Sequence, residues 1–318
     1  MPALPPRSGA ATPPPSGAAR PPQPGPNRAR YRRRRGGAAL ALVAIIALAI
    51  GAAHSRGGTG PHRVPRTPRP AAAAKQGRAG RPRTRRRTQR RAEEQAIDRV
   101  LAYTPAITEG GHTGHELALT FDDGPGPYTA QFVHVLDSLH VKATFFAIGE
   151  EERWFSAGTL AELRSGDVVG DHTETHPMMA RLSAHAQHED LFEQILRIQL
   201  LDGPTPQLFR PPYGSFDATT FRQLRALHLL MVLWSDDTSD YALPGVAAIV
   251  QRALAGAHPG AIVLMHDGGG NRSETLAALP AIVRGLRRKG LEPVTVPRLM
   301  LDDPPPRGLP IPTSLAGD

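Results

Sequence analysis

Residues 117–125 read Leu-Ala-Leu-Thr-Phe-Asp-Asp-Gly-Pro, and this stretch gives the strongest indication of the fold. A short run of strand-forming residues ends at two adjacent carboxylates, Asp122 and Asp123, and a Gly-Pro pair then turns the chain. Near-continuous apolar character is typical of a strand that is buried on both faces of a parallel sheet. The two carboxylates are therefore predicted to lie at the C-terminal end of such a strand.

Apolar runs of the same kind recur from about residue 96 and alternate with amphipathic helical stretches. The predicted strands are 117–121, 143–148, 167–170, 208–210, 229–234, 261–265 and 293–296. Helical stretches lie between them, for example 129–139, 188–201 and 273–288. Repeated β–α units predict an α/β fold with a parallel sheet. A small (β/α) barrel, complete or distorted, is the first expectation, and an open doubly wound sheet is the alternative.

The composition excludes several kinds of chemistry. The chain has 318 residues, a formal net charge of +9 and no cysteine, so it has no disulfide, thiolate zinc site or cysteine nucleophile. The positive charge belongs to residues 1–96, which hold 21 of the 38 Lys and Arg residues and only two acids, Glu93 and Glu94. No nucleic-acid-binding motif accompanies these basic runs, and we expect no nucleic-acid partner.

An apolar, uncharged run at residues 36–53 follows four arginines at 32–35. At about 1.5 Å per helical residue, these 18 residues would span roughly 27 Å, close to the thickness of a hydrocarbon core. We therefore predict a disordered, Pro- and Arg-rich cytoplasmic tail at 1–35 and a transmembrane anchor at 36–54, with the remainder extracytoplasmic. A cleaved signal peptide is the alternative, because residues 51–53 are small.

The anchor is followed by a basic, Pro- and Gly-rich stretch, predicted to be a linker over 55–110. Such a segment can be an extended, self-repelling spacer, and it can also attract anionic wall polymers or lipid headgroups. The folded domain is predicted at 111–300, and a Pro-rich tail at 301–318.

Polar residues that could carry chemistry occur at five points, each close to the end of a predicted strand. In a (β/α) barrel these strand ends meet at one rim, where active sites lie. The five points are Asp122-Asp123, His172-Thr-Glu-Thr-His176, Arg210-Pro-Pro-Tyr213, the stretch from Trp234 to Tyr241, and His266-Asp267.

The two histidines of the second point favour a metal site. His172 and His176 would share one face of a helical turn, and Asp123 could supply a third ligand. Two imidazoles and one carboxylate that leave other coordination positions of the metal open are typical of a catalytic zinc site. The same ligand set is also typical of a non-haem iron site. Taken singly, Asp122-Asp123 could be an ordinary turn, and His172 and His176 could be a surface pair that binds nothing.

Two further points favour acid–base chemistry. A buried guanidinium at Arg210 could orient Asp122, although a structural ion pair is the alternative. His266 emerges from an apolar strand into a Gly-rich loop. A histidine paired with an aspartate can stay protonated near neutral pH and serve as a general acid.

In this order, the five motifs resemble those of the polysaccharide deacetylase (NodB-homology) domain of carbohydrate esterase family 4. They are TFDDGP at 120–125, HTETH at 172–176, RPPY at 210–213, Asp-x-x-Asp-aromatic at 237–241 and Leu-x-His at 264–266. The resemblance covers about 180 residues, from about 116 to 296, and leaves out the first 110. It implies a distorted (β/α) barrel with about seven strands, and it makes 111–300 the catalytic domain.

The resemblance also implies a metal site with an acid and a base beside it. Asp123, His172 and His176 would hold a divalent metal, usually zinc in this family, with Co²⁺, Mn²⁺ or Ni²⁺ as other occupants. Asp122 would be the general base, and His266 would be the general acid.

Further roles follow from the same resemblance. Arg210 would orient Asp122, and Asp237 would tune His266. The backbone N–H of Tyr213 would help to bind the oxyanion. Tyr241 stands where the family usually has Trp, which puts details of the substrate pocket in doubt. The implied substrate and oxyanion residues are Tyr213, Trp234, Tyr241 and Leu264.

The predicted function is therefore metal-dependent removal of N-acetyl groups from an extracytoplasmic glycan. Peptidoglycan is the first candidate for the substrate, because it is the polymer nearest to a membrane-tethered enzyme. Chitooligosaccharides and O-acetyl xylan are the alternative substrates. A catalytically inactive wall-binding module would be expected to lack a ligand, the base or the acid, and none is missing. An iron-dependent oxygenase would use the same ligand types but has no need of the acid–base pair.

Overall fold

The computed structural model describes residues 82–310, with side chains from residue 86. The nine strands are β1 (Ala106–Ile107), β2 (Glu116–Gly124), β3 (Thr144–Ala147), β4 (Val168–Asp171), β5 (Leu208–Phe209), β6 (Leu230–Val232), β7 (Asp236–Asp237), β8 (Ile262–His266) and β9 (Glu292–Val294). The eight α-helices of this region are α1 (Pro82–Leu101), α2 (Thr129–Ser138), α3 (Gly149–Ser165), α4 (Ala184–Leu200), α5 (Ala218–Leu227), α6 (Val246–Ala255), α7 (Ser273–Arg288) and α8 (Val296–Asp302).

All strand pairs are parallel, in the order β1-β6-β5-β4-β3-β2-β8-β7, with β9 also paired to β2. Residues 230–237 form one segment that pairs with β5 through β6 and with β8 through β7. The sheet consequently curves into an incomplete barrel. The predicted α/β fold with a parallel sheet is confirmed. The sheet has nine strands in the described region, and not about seven as predicted. The two additional strands, β1 and β7, are each two residues long and have no apolar run that would mark them in the sequence.

Strand β2 lies within the sheet, and its side chains alternate between the two faces of the sheet. Odd-numbered side chains from Leu117 to Phe121 pack in a fully buried cluster with α2 and α7. Even-numbered side chains from Ala118 to Asp122 lie on the other face, because successive strand residues point to opposite sides. Ala118 belongs to a separate buried cluster that includes residues of β5, β6 and β8. This alternation directs Asp122 toward the concave side of the sheet.

Helix α1 corrects one expectation of the sequence analysis. Residues 55–110 were expected to be an extended linker, yet Pro82–Leu101 is helical. Arg86, Arg87 and Arg90 are exposed. Ala96, Ile97 and Val100, by contrast, are 1% exposed and pack with α8. Positions 96, 97 and 100 share one face of a helix, so this short apolar stripe fixes the helix despite its charge.

The C-terminal tail also begins later than expected. Residues 301 and 302, placed in the predicted tail, complete α8, and Asp303 is buried. Its carboxylate accepts hydrogen bonds from the backbone N–H groups of Thr113 and Gly114, at 2.8 and 2.7 Å. The predicted tail at 1–35 and anchor at 36–54 lie outside the described residues. Among the described helices, none is both long and apolar enough to cross a bilayer.

Candidate active site

The two carboxylates at the end of β2 both reach the same site. The register between β2 and β3 shifts between Asp122 and Gly124, so Asp123 is an extra residue in a bulge. Asp123 adopts φ 69°, which is unusual for a residue other than glycine. A bulge of this kind re-aims a side chain locally. Because of it, Asp122 and Asp123 both face His172, with carboxylate oxygens 3.9 and 3.5 Å from its Nε2.

Asp123, His172 and His176 converge as the sequence analysis expected, with one ligand atom from each lying within 4.8 Å of the others. Asp123 Oδ1 is 3.5 Å from His172 Nε2 and 3.1 Å from His176 Nε2. This buried oxygen has no well-formed hydrogen bond to any described residue. Burial alone would raise the pKa of Asp123, but the imidazoles of His172 and His176 outweigh that effect and hold it well below its usual range.

One hydrogen bond fixes the tautomer of His172. Its Nδ1 lies 2.7 Å from the carbonyl oxygen of Arg210 and must donate to it. In the neutral ring, Nε2 then carries the lone pair and faces Asp123. Histidine ligands in metal sites are usually held in this way. The donor set fits a divalent metal, because it consists of two imidazoles and an ionised carboxylate whose buried Oδ1 has no well-formed hydrogen bond.

The histidine motif differs from prediction in its backbone. Residues 172–178 contain no helical turn; Thr173 and His176 instead have φ 71° and φ 55°. Thr173 N donates to Asp171 at 2.7 Å, and His176 N donates to the Thr173 hydroxyl at 2.9 Å. A loop tied by these bonds brings the two imidazoles to a centroid separation of 5.0 Å. Uncommon backbone conformations of this kind concentrate at functional sites.

Arg210 lies inside the curved sheet and is fully buried. Its Nη1 donates to Asp122 Oδ1 and to the Thr120 hydroxyl, each at 2.8 Å. The other guanidinium nitrogens donate to the carbonyl oxygens of Val232 and Leu233, each at 3.0 Å. Burial lowers the pKa of Arg210, and Asp122 partly offsets this. A guanidinium nevertheless stays charged in proteins, so the predicted pairing with Asp122 is an ion pair.

His266 pairs with Asp240, and the prediction that Asp237 fills this role is wrong. His266 Nδ1 lies 2.7 Å from Asp240 Oδ1, and Asp240 Oδ2 accepts from the His266 N–H at 2.9 Å. Asp237 instead accepts from Ser239 N at 2.6 Å and from the Tyr241 hydroxyl at 3.3 Å. The 3₁₀ turn Asp240–Ala242 carries the second aspartate of the motif back toward β8.

The charge of Asp240 controls the protonation of His266. Burial alone would lower the pKa of His266, but the hydrogen bond and charge of Asp240, with the charges of Asp123 and Asp122, raise it to about 9. The same pairing, together with a hydrogen bond from the Thr275 hydroxyl, lowers the pKa of Asp240 against the effect of its own burial. The sequence offered one signal for Asp240: it directly precedes the aromatic residue of the motif.

The four predicted substrate residues are placed differently from one another. Tyr213, at φ 60°, is 60% exposed, and its hydroxyl lies 3.1 Å from His176 Nδ1. Tyr241 is 52% exposed and meets the His266 ring edge-on at 5.5 Å. Trp234 is half-buried in the core, and the side chain of Leu264 is buried on β8. Only the two tyrosines therefore present large exposed surfaces beside the site.

Several other carboxyl groups are buried nearby without a predicted role, and three of them are Asp267, Glu152 and Glu162. Asp267 accepts a hydrogen bond from the Thr129 hydroxyl, and burial raises its pKa to about 7. Burial likewise raises the pKa of Glu152 to about 7. Glu162 is fully buried, neither of its oxygens has a hydrogen-bond partner among the described residues, and burial raises its pKa well above the usual range.

The sequence of the chain relates it to known proteins. Over 195 residues it is 36% identical to a peptidoglycan-N-acetylglucosamine deacetylase of Bacillus cereus, a match over 58% of this chain and 87% of that protein. A family model described as polysaccharide deacetylase matches residues 109–232. The chain belongs to the polysaccharide deacetylase family. Another member of that family, a chitooligosaccharide deacetylase of Rhizobium leguminosarum bv. trifolii, is 33% identical over 202 residues, or 60% of this chain and 94% of that protein.

Solved structures of polysaccharide deacetylase relatives share the described fold. A peptidoglycan N-acetylglucosamine deacetylase gives a TM-score of 0.60 at 30% identity, over 63% of this chain and 94% of that chain. A CE4 family pseudoenzyme from Bacillus anthracis gives a TM-score of 0.59 at 28% identity, over 62% and 69% of the two chains. The family resemblance drawn from the five motifs is thus confirmed. Because a relative is named a pseudoenzyme, activity has to be argued from the residues of this chain.

Proposed function

We propose that the protein is a metal-dependent hydrolase that removes N-acetyl groups from a glycan. One observation carries this proposal: Asp122 and His266 are register partners on adjacent strands, beside the ligand cluster of Asp123, His172 and His176. A base, an acid and a metal site therefore meet at one rim of the sheet. Amide hydrolysis requires all three functions, and no nucleophilic Ser or Cys is needed.

Asp123, His172 and His176 are the residues that would hold the metal. When bound, a divalent ion supplies Lewis-acid chemistry, because it polarises a carbonyl oxygen and makes water more acidic. The chemistry of the donors favours Zn²⁺, and Co²⁺, Mn²⁺ and Ni²⁺ are alternatives with the same ligand types.

Asp122 is assigned as the general base. Arg210 engages its Oδ1 at 2.8 Å, whereas Oδ2 faces the ligand cluster, 3.9 Å from His172 Nε2. The guanidinium fixes the orientation of this carboxylate. Oδ2 can then accept a proton from the water that attacks the acetamide carbon. We assign the backbone N–H of Tyr213 to the carbonyl oxygen, which gains negative charge in this step.

His266 is assigned as the general acid. Asp240 keeps its imidazole protonated and oriented, so the proton on Nε2 is available at neutral pH. Transfer of that proton to the departing nitrogen accompanies cleavage of the C–N bond. The products are acetate and a free amine on the sugar. The exposed ring of Tyr241 walls the space next to His266 and would contact the sugar.

Peptidoglycan is the proposed substrate, with chitooligosaccharides and O-acetyl xylan as alternatives. The relatives named for peptidoglycan and chitooligosaccharide deacetylation both support an N-acetylated glycan. The apolar run at 36–53 behind four arginines supports attachment to the cell membrane, with the catalytic domain outside. The basic stretch that follows would hold the enzyme near anionic wall polymers. Cleavage after residue 53 would instead release it.

Acetate release tests the activity directly. Full-length protein would be incubated with N-acetylated peptidoglycan fragments, N-acetylglucosamine oligomers and O-acetyl xylan, and released acetate and new amines would be quantified. We expect both products from an N-acetylated glycan, and a loss of activity after chelation that added Zn²⁺ restores. The matched control is Asp122→Asn, which keeps the shape of the side chain and removes the base.

An inactive, glycan-binding protein would give a different result. It would bind the same fragments yet release no acetate at any metal concentration, and the Asp122→Asn variant would match the wild type. That outcome would reject the hydrolase proposal while leaving the family assignment intact.

A further inference from the structure

A second cluster of metal-ligand residues lies at the other end of β8 from His266. Glu109 and His112 follow β1, and His258 lies in the loop between α6 and β8. One ligand atom from each lies within 4.8 Å of the others. Among the described residues, only this cluster and the active-site set gather three such groups.

The geometry of this cluster resembles a ligand shell. His112 Nε2 lies 3.3 Å from Glu109 Oε1, and His258 Nε2 lies 3.8 Å from Glu109 Oε2. In a tetrahedral zinc site with ligands at about 2.0–2.1 Å, neighbouring ligand atoms are roughly 3.3 Å apart. The two imidazole rings meet edge to face at 5.3 Å. Small side-chain rotations would therefore bring all three ligand atoms onto one ion.

A hydrogen bond on the far side of His258 supports the same reading. Its Nδ1 lies 2.8 Å from the carbonyl oxygen of Pro259 and must donate to it. In the neutral ring, Nε2 then carries the lone pair, and it lies 3.8 Å from Glu109 Oε2. This arrangement repeats the one that holds His172 in the active site, and it is the usual support for a histidine ligand.

The charges of the cluster of Glu109, His112 and His258 favour the binding of a cation. In the described region, the ion-pair partners of Glu109 are His112 and His258 alone. An imidazole carries charge only when protonated, so neither residue is a permanent counter-ion. A divalent metal binds neutral imidazole and ionised carboxylate at once, and it would satisfy all three groups. The side chains of Glu109, His112 and His258 are 25%, 59% and 40% exposed, so an ion can enter from solvent.

We propose that Glu109, His112 and His258 form a second binding site for a divalent transition metal, best suited to Zn²⁺. Three protein ligands of this type leave a further position for water. This site is separate from the active-site cluster and does not depend on the proposed function.

The site would fasten two backbone segments that already touch. Gly110 N donates to the Gly260 carbonyl at 2.8 Å. Gly260 has φ 83°, and a Cβ there would lie 2.1 Å from the carbonyl oxygen of Gly111, so only glycine permits this approach. Because Glu109 and His112 stand on one segment and His258 on the other, a bound metal would clamp them together. The expected consequence is a more stable folded state when zinc is present.

Zinc stoichiometry of the full-length, untagged chain tests the proposal. Protein stripped with a chelator would be saturated with ZnCl₂, freed of unbound zinc by gel filtration and measured by elemental analysis. His112→Ala and His258→Ala should each lose one zinc equivalent relative to the wild type. His115→Ala is the matched control and should lose none, because His115 is exposed nearby and, within residues 86–310, forms its ion pair with Glu116 alone.

A second measurement isolates the site from the active centre. In a His176→Ala background, ZnCl₂ should still raise the thermal unfolding temperature, and adding His112→Ala should remove most of that rise. Equal zinc content in the wild type, His112→Ala and His258→Ala would overturn the proposal. Loss of zinc in His112→Ala but not in His176→Ala would support this site and reject the metal ligands of the proposed function.

Discussion

Asp240→Asn should lower the pKa of His266 and move the pH dependence of the reaction. Asp240 is fully buried, and its carboxylate contacts His266 through both Nδ1 and the backbone N–H, at 2.7 and 2.9 Å. With Asp240 in place the pKa of His266 is about 9. The asparagine keeps the size of the side chain and can still accept a hydrogen bond, but it removes the negative charge.

The size of the effect follows from that contact. A single opposite charge at hydrogen-bond distance changes a pKa by about 1–3, which corresponds to about 1.4–4 kcal/mol. The pKa of His266 should fall from about 9 to about 6–8. The general acid would then be at least half deprotonated at pH 8, and the rate of amine departure would fall with it.

The assay is kcat/KM for acetate release from an N-acetylated glycan between pH 5 and pH 10. In the wild type the alkaline limb reports loss of the acid, and in Asp240→Asn it should move to lower pH by about 1–3. Asp237→Asn is the matched control and should leave the limb in place, because Asp237 contacts Ser239 and Tyr241 instead. If Asp237→Asn moves the limb and Asp240→Asn does not, the assignment of Asp240 is refuted.

Three further predictions concern the buried charges. Asp122→Asn should reduce kcat by about 10²–10⁴ with unchanged zinc content, since it removes the base and leaves the three proposed metal ligands in place; near-normal acetate release would refute the role. Arg210→Met should cost about 3–5 kcal/mol in urea unfolding, because it leaves the Asp122 carboxylate buried without its partner; an unchanged midpoint would show that the ion pair is not needed. Burial raises the pKa of Glu162 well above its usual range, so the folded state holds this proton more tightly than the unfolded chain. Wild-type stability should therefore fall as pH rises above about 4.3, and Glu162→Gln should lose less between pH 5 and pH 8.5; equal losses in both proteins would contradict this.

The sheet and the cluster of candidate metal ligands could be predicted from the sequence, because both depend on local patterns. Apolar runs that end in polar residues mark buried parallel strands, and all seven predicted runs overlap strands of the structure. Strand ends on one rim bring their side chains together whatever lies between them in the chain. This is why Asp123, His172 and His176 could be grouped before any distance was known.

What escaped prediction depends on backbone detail. The bulge at Asp123 and the positive φ of Thr173 and His176 have no signal in residue type, since neither position is a glycine. The partner of His266 is decided by the turn that begins at Asp240, which lies three residues after Asp237 in the same polar stretch. Helix α1 escaped because its basic composition outweighed a three-residue apolar stripe.

The ion pair of Asp122 and Arg210 bears on both the proposed catalysis and the stability of the fold. Arg210 is fully buried, and Asp122 is the only acid in ion-pair contact with it among the described residues, so the proposed base is also the counter-ion of a charge inside the sheet. Removing a buried partner is costly, because it leaves an uncompensated charge. Asp122→Ala would therefore lower activity partly through folding. Asp122→Asn removes the same charge but keeps a hydrogen-bond acceptor for Arg210, so comparing the two variants separates the lost charge from the lost hydrogen bond. If both variants unfold at the same urea concentration as the wild type, the carboxylate of Asp122 is not needed to stabilise the buried guanidinium.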